Sequence, residues 1–274
     1  MLMSKLSQAI LKTKRAVRGR ALTLMPSLRT HQIYVVGVGK SGTHSIASMF
    51  QFQLHAAHEP AIEELINHIL GIAAGSIDSN ATDQFLLERD RRLGLELDSS
   101  GLNHYVVDRL VKIFPRSKFI LTIREPLSWL DSIINHQLAR HDDDAWRSSV
   151  AWRKFRDFRF RPDLYPHPPE EAALKERNLY SLDGYLSGWA QANRTVLDQV
   201  PPDRLFAVRT DRISASCDEM AAFIGVPKRP EHKRKSHAFK TPKKFGVLQL
   251  VDQDHLQRRV AAHCNDLVDR FFRD

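Results

Sequence analysis

The stretch YVVGVGKSGTHSIASMF, residues 34–50, decides how this chain is read. Three β-favouring residues run into a turn containing Gly37, Gly39 and Gly42, with Lys40 among small polar residues where a helical pattern begins. A helix that starts directly after a strand aims its unpaired N–H groups and positive dipole end at the turn, an arrangement that binds phosphate or sulfate. The glycines let the backbone close on an anion, Lys40 adds a mobile positive charge, and Ser41, Thr43 and Ser45 offer hydroxyl donors. An ordinary strand-to-helix turn needs neither the lysine nor the hydroxyls. The ATP/GTP signature G-x-x-x-x-G-K-[ST] also fails here: its first glycine would fall at Tyr34, inside the predicted strand. The loop is instead G-x-G-K-S-G-T, with the lysine early and Gly-Thr after it.

Outward from this loop, short β-rich runs alternate with helical patterns, which predicts an α/β fold with a parallel sheet and crossover helices. The runs are QIYVVG (32–37), QLHAAH (53–58), LGLELD (93–98), KFILTI (118–123) and RLFAVR (204–209). The first and fourth are almost continuously apolar, as strands buried on both faces are, whereas the alanines of the second suit a strand least. Helices are expected over about 43–52, 60–72, 102–114, 127–140, 171–198 and 215–224. The charged, aromatic, proline-bearing stretch 139–180 has no β-rich run of its own and reads as a helical insertion over the sheet. Residues 31–274 thus form one α/β domain behind a leader, residues 1–30.

A second stretch, FPRSKFILTIREPLSWLDSIINH (114–136), ends a buried strand at Arg124-Glu125-Pro126 and places Ser132 eight residues on, in the next helix. Arg124 belongs at the C-terminal edge of the sheet, where open α/β folds bind ligands, and its fixed fork of donors matches phosphate oxygens. Ser132 is expected to face the same anion. With GVGKSGTHS earlier in the chain, this order of features resembles the sulfotransferases that use 3′-phosphoadenosine 5′-phosphosulfate (PAPS), over roughly residues 32–245. The resemblance implies a three-layer P-loop-type fold, with a central parallel sheet of about five strands flanked by helices. It also implies a 5′-phosphosulfate loop at Gly39, Lys40, Ser41, Gly42, Thr43, His44 and Ser45, with Arg124 and Ser132 on the 3′-phosphate that distinguishes PAPS from ATP. The family's C-terminal basic loop corresponds to KRKSHAFKTPKKFG, which offers Arg234, Lys235 or Lys240 to that phosphate.

The reaction so implied is in-line displacement at sulfur, which needs a cation on the leaving phosphate and a base for the acceptor's proton. Lys40 suits the first role. For the base, the strand ends supply His58 and Glu59 after the second run and Asp98, Ser99 and Ser100 after the third. Family members use histidine or glutamate, so Glu59 is the expected base, His58 its alternative and Asp98 the third candidate. Glu59 has a plain structural reading too, as an acid at the start of the helix after Pro60. No metal is implied; HDDD (141–144) reads as a solvated acidic run.

Composition fits this picture. Of 274 residues 42% are hydrophobic and 27% charged, as in ordinary globular proteins, and no stretch approaches the apolar length of a membrane span. Two cysteines, Cys217 and Cys264, make neither a disulfide framework nor a metal site, so a reduced cytoplasmic setting is expected. The net charge of +9 is local: residues 1–30 and 228–244 each carry +7, leaving the rest at −5. That distribution argues against a nucleic-acid-coating protein and for a specific anionic ligand. The leader, with Leu2, Leu6, Ile10 and Val17 at roughly helical spacing, reads either as a solvated segment or as a basic amphipathic helix touching a membrane's inner face. The acceptor is expected to be a small molecule, a glycolipid or another glycan. A P-loop kinase using ATP and a catalytically silent nucleotide-binding scaffold are the alternatives. Oligomeric state is not legible.

Overall fold

A computed structural model describes residues 13, 17–18, 21–22, 28–140, 149–235 and 244–273, the side chains of Glu231, Arg234 and Lys235 excepted. In chain order its elements are β1 Ile33–Val35, α1 Thr43–Phe50, β2 Ala56–His58, α2 Ile62–Ala73, α3 Ser79–Leu93, β3 Leu97–Ser99, α4 Val107–Ile113, β4 Lys118–Ile123 and α5 Pro126–Ala139. There follow α6 Val150–Phe160, α7 Ala172–Lys175, α8 Leu182–Gln199, β5 Leu205–Arg209, α9 Cys217–Ile224, α10 Pro230–Lys235 and α11 Gln253–Phe271.

The five expected strands form one sheet in the order β2-β3-β1-β4-β5, and every neighbouring pair is parallel. The central pairs are in register at Ile33 with Leu97 and with Lys118. Alternation along β1 separates the two faces. Ile33 and Val35 pack with Ile46, Met49 and Phe50 of α1 and with Met220 and Ile224 of α9. Tyr34 and Val36 pack on the other face with Leu65 and Ile66 of α2 and Leu110 of α4. The result is the three-layer α/β arrangement. A further helical cluster, built on Trp129, Tyr185 and Trp189, joins α5, α8 and α11.

The chain moves from β1 toward β2 and β3 on one side and toward β4 and β5 on the other, so the strand order reverses between β1 and β4. Ligands in open α/β sheets bind at such a reversal, beyond the C-terminal strand ends, and the loop after β1 lies there.

Three helical features depart from expectation. Helix α3 lies in a stretch to which the sequence assigns no element; Asp78 caps it by accepting from the Ala81 N–H at 2.8 Å, and Gly94 ends it at φ 57°. Helix α11 was equally unanticipated, and Asp252 caps it through the His255 N–H at 2.6 Å. The single helix expected over 171–198 is broken: Asn178 turns at φ 52°, and Ser181 opens α8 by accepting from the Gly184 N–H at 3.2 Å. The break is held by buried Glu171, which accepts from the Leu182 N–H at 2.9 Å and pairs with His255 at 3.0 Å. The segment expected as an insertion contributes α6, whose Phe155 and Phe160 are buried against the domain.

Of the basic leader, most lies outside the described residues. Some of its described residues meet the domain: Leu22 is buried and Arg18 pairs with Glu96 at 2.8 Å, while Val17 and Leu28 are exposed.

Candidate active site

Beyond the C-terminal ends of β1, β2, β3 and β4 opens a cavity of about 810 Å³. The loop after β1 forms its floor, the ends of β2 and β3 one side, α5 another, and α6 its roof.

The loop owes its shape to contacts with β4 and α5. A Cβ on Gly37 would stand 2.1 Å from Thr122 Oγ1 and 2.4 Å from the Thr122 carbonyl oxygen, so only glycine lets the loop run against β4. Trp129 Nε1 donates to the Gly39 carbonyl at 2.9 Å, and Arg124 Nη1 donates to the Lys40 carbonyl at 3.2 Å. The Thr210 hydroxyl donates to the Ser41 carbonyl and, at 3.1 Å, is also within reach of the Ile123 carbonyl. Three consecutive carbonyls, which would repel an anion, are thereby bound from behind. The first turn of α1 faces the cavity at Thr43, His44 and Ser45, and backbone donors at a helix start attract anions.

Gly39, Lys40, Gly42, Thr43, His44 and Ser45 all line the cavity, as do Arg124 and Ser132. Ser41 does not share that position, contrary to expectation. Its buried hydroxyl donates to the Val38 carbonyl at 2.6 Å and contacts Thr122 Oγ1 at 2.8 Å, while its N–H also goes to Val38. It braces the loop from inside. Tyr34, standing where the ATP signature has glycine, is a core residue whose ring stacks on Phe114 and Phe119, each at 5.8 Å. Arg124 Nε donates to Ser128 Oγ at 2.9 Å, and Ser132 follows one turn later on α5.

The three candidate bases separate clearly. Asp98 is closed off: Arg89 pairs with it at 2.5 Å, Asn103 Nδ2 donates to it at 3.3 Å, and both acid and arginine are buried outside the cavity. Its expected candidacy as a base is therefore corrected to a structural one. His58 lines the cavity with Nε2 3.2 Å from Thr43 Oγ1 and its ring edge-on to His44. Burial, His44 and Lys40 hold its pKa down to about 4, so the imidazole is neutral. Glu59 lines the same wall. Its Oε1 accepts the Gly101 N–H at 3.1 Å, and burial, aided by Asp98, raises its pKa to about 7 against the pull of that bond and of Arg159 and Arg140. Helix α2 starts at Ile62 with Ala61 as its N-cap, so Glu59 does not cap it.

Lys40 is brought down to about 8, first by burial and then by the neighbouring cations Arg124 and Arg140. Lys40 and Glu59 hold left-handed backbone, at φ 71° and 53°. Such conformations are costly for side-chain-bearing residues and persist where the surroundings over-determine them, often at functional sites.

Several cavity residues were not singled out from the sequence. They include Thr210 beside the loop and His136, which burial, Lys40 and Arg140 hold at about 4; Trp129, equally unmarked, stays in the core and braces the loop from below. Arg140, Arg156 and Arg159 frame the roof. A single sequence marks none of them, since each reaches the cavity only through the tertiary fold. Among the described lining residues, Lys40, Arg124, Arg140, Arg156, Arg159 and Lys244 face only Glu59 and Asp131, which marks the cavity as a receptor for anions. Lys244 lies 3.8 Å from Asp131. Arg234, Lys235 and Lys240, the expected contacts from the basic loop, lie outside the described side chains, as does HDDD at 141–144. The described residues contain no cluster of three or more His, Cys, Asp or Glu able to hold a metal. None of their helices is long and apolar enough to cross a membrane.

Residues 101–236 match the family model described as sulfotransferase domain; the match includes Arg124 and Ser132 and begins after the loop and Glu59. Among solved structures, a sulfotransferase from Alicyclobacillus acidocaldarius is similar at 15% identity, over 89% of this chain and 96% of that one, with a TM-score of 0.46. The sulfotransferase domain of the Synechococcus PCC 7002 olefin synthase aligns at 12% identity over 83% and 82%, TM-score 0.37. The sulfotransferase domain from the curacin biosynthetic pathway aligns at 13% over 85% and 96%, TM-score 0.37. No curated protein sequence matches the chain.

Proposed function

Since the chain belongs to the sulfotransferase family, we propose that it moves a sulfuryl group from PAPS to a hydroxyl or amine of a carbohydrate, glycolipid or small-molecule acceptor. The observation that carries this reading is the pairing of Lys40 and Glu59 in one cation-rich cavity, with pKa values of about 8 and about 7. Near neutral pH one is largely a cation and the other about half ionised, which is what a leaving-group acid and a general base require.

In this reading the first turn of α1 and Lys40 take the 5′-phosphosulfate, and Arg124 with Ser132 takes the 3′-phosphate. Glu59 accepts the acceptor's proton as its oxygen or nitrogen attacks sulfur. The S–O bond to the phosphate breaks, and its electron pair leaves on adenosine 3′,5′-bisphosphate, whose new charge Lys40 neutralises. His58, at about 4, is too weak a base for this at neutral pH and serves to position Thr43 and Glu59. Ser41 keeps the loop in shape without touching the donor. We assign the reaction to the cytoplasm. The contacts of Leu22 and Arg18 with the domain favour docking of at least part of the leader on protein, leaving only the remainder of residues 1–30 for a membrane surface.

Isothermal titration tests the donor. Adenosine 3′,5′-bisphosphate should bind without Mg²⁺, and radiolabelled sulfate should pass from PAPS to members of an acceptor panel. Binding of ATP–Mg²⁺ with none of the bisphosphate would return the kinase alternative; bisphosphate binding with no transfer across the panel would return the silent scaffold.

A further inference from the structure

Among the described residues, the arginines that are not exposed are, as a rule, compensated. Arg89 pairs with Asp98, Arg29 with Asp90, Arg109 with Asp83 and Arg194 with Asp266, and Arg204 donates to carbonyls of the α4–β4 turn. Arg159, near the end of α6, breaks the pattern. Its guanidinium lies 5.7 Å from the centre of the Trp129 ring and 5.0 Å from that of Phe160. Nε and Nη2 are buried there without hydrogen-bond partners, and among the described residues Arg159 makes no hydrogen bond or ion pair. Nη1 is the nitrogen left with accessible surface, on a residue that lines the cavity. A guanidinium cannot shed its proton, so a desolvated one without a counter-charge is expensive to keep.

We propose that Arg159 is the receptor for an oxyanion carried by the sulfate acceptor itself: a carboxylate, sulfate or phosphate on the same molecule as the hydroxyl or amine that attacks. This rests on the sulfuryl-transfer reading and names its acceptor class. The two ends of the cavity differ in charge neighbourhood, with Arg140 common to both because it acts on Lys40 and on Glu59. Lys40 feels Arg124 and Arg140, the donor-phosphate side, whereas Arg159 feels Glu59, Tyr105 and Tyr185. An anion on Nη1 therefore belongs to the molecule that meets Glu59. Arg159 and Glu59 interact without forming an ion pair, which leaves the arginine free for a ligand and the carboxylate free for a proton. Trp152, Phe155 and Phe160 of the same helix line the cavity beside it and supply an apolar wall for the body of the acceptor.

The test titrates the full chain, saturated with adenosine 3′,5′-bisphosphate, with matched probes: 4-nitrophenyl β-glucuronide against 4-nitrophenyl β-glucoside, and 4-hydroxyphenylacetate against its methyl ester. In at least one pair the anionic member should bind about tenfold tighter or more, the scale of a charge-assisted hydrogen bond. In Arg159→Met that preference should fall to about onefold, with affinity for the neutral member and for the bisphosphate unchanged. No preference in either pair, a preference that survives Arg159→Met, or a loss of bisphosphate affinity in the variant overturns the proposal. Should Arg159→Met not fold, the wild-type preference still decides, with Arg159→Lys expected to keep it in weakened form. If the bisphosphate fails to bind the wild type, the donor reading fails. The probe pairs, titrated without it, still decide this proposal.

Discussion

Replacing Glu59 by glutamine should stabilise the protein while removing its activity, and the two effects share one cause. The cavity wall raises this carboxyl from an ordinary 4.5 to about 7, which at 1.36 kcal/mol per tenfold corresponds to about 3 kcal/mol. Because 24% of the side chain stays exposed, solvent screening reduces this to about 1–3 kcal/mol. The sign follows from proton binding. Between pH 4.5 and about 7 the folded state holds a proton that the unfolded chain has lost, so stability falls as pH rises. Above pH 7 the full cost of burying the ionised carboxylate is present. Glutamine never ionises, and its oxygen can still accept the Gly101 N–H. Denaturant unfolding should therefore show Glu59→Gln about 1–3 kcal/mol more stable than wild type at pH 8, with the difference vanishing near pH 4. The same variant should lose about 10²- to 10⁴-fold in kcat/KM, the usual contribution of a general base. For wild type kcat/KM should rise with pH through about 7, as Glu59 ionises, and fall through about 8, as Lys40 loses its proton. In the variant the lower limb should vanish. Equal or lower stability at pH 8 would refute the electrostatic account of Glu59, and an intact lower limb would refute its role as base.

Lys40→Ala should abolish sulfate transfer from PAPS, measured with labelled donor; normal turnover would remove Lys40 from the leaving-group role. Arg124→Ala should weaken adenosine 3′,5′-bisphosphate binding by about 1.5–3 kcal/mol in calorimetry. Unchanged affinity would place the 3′-phosphate elsewhere. Asp98→Asn leaves Arg89 buried beside a neutral partner and should cost about 3–5 kcal/mol in unfolding free energy. The protein that remains folded should retain transfer, and a complete loss of turnover without destabilisation would make Asp98 chemical after all.

The sheet was legible because its strands announce themselves: IYV and KFILTI are buried on both faces and can be apolar throughout. Even AAH, the least promising run, pairs, since an edge strand held by β3 alone asks little of its side chains. Helix α3 was harder to see because its face is mostly polar, although Asp78 and Gly94 bracket it with ordinary capping chemistry. Within the site, Lys40, Glu59 and Arg124 followed from their places at strand ends, which the parallel topology brings to one edge. Ser41 looked like its neighbours Thr43 and Ser45, but residue type does not reveal that a left-handed turn at Lys40 swings its hydroxyl toward Thr122. Asp98 likewise looked like any strand-end acid until Arg89, nine residues earlier, closed on it. Arg159 was one arginine among many in a charged segment, because only tertiary packing shows which guanidinium is left without a counter-charge.

The clamp beneath the anion loop has a consequence in time. The loop is synthesised well before the groups that bind its carbonyls, which stand at Arg124, Trp129 and Thr210. An emerging chain can form β1 and α1 early, but it lacks the last of these clamps until Thr210 has been translated. Formation of the anion cradle is therefore a late event, and any anionic ligand that needs the finished cradle would select chains that have completed the fold. Ligand present during refolding should accordingly stabilise the whole domain by mass action, not merely the loop it touches.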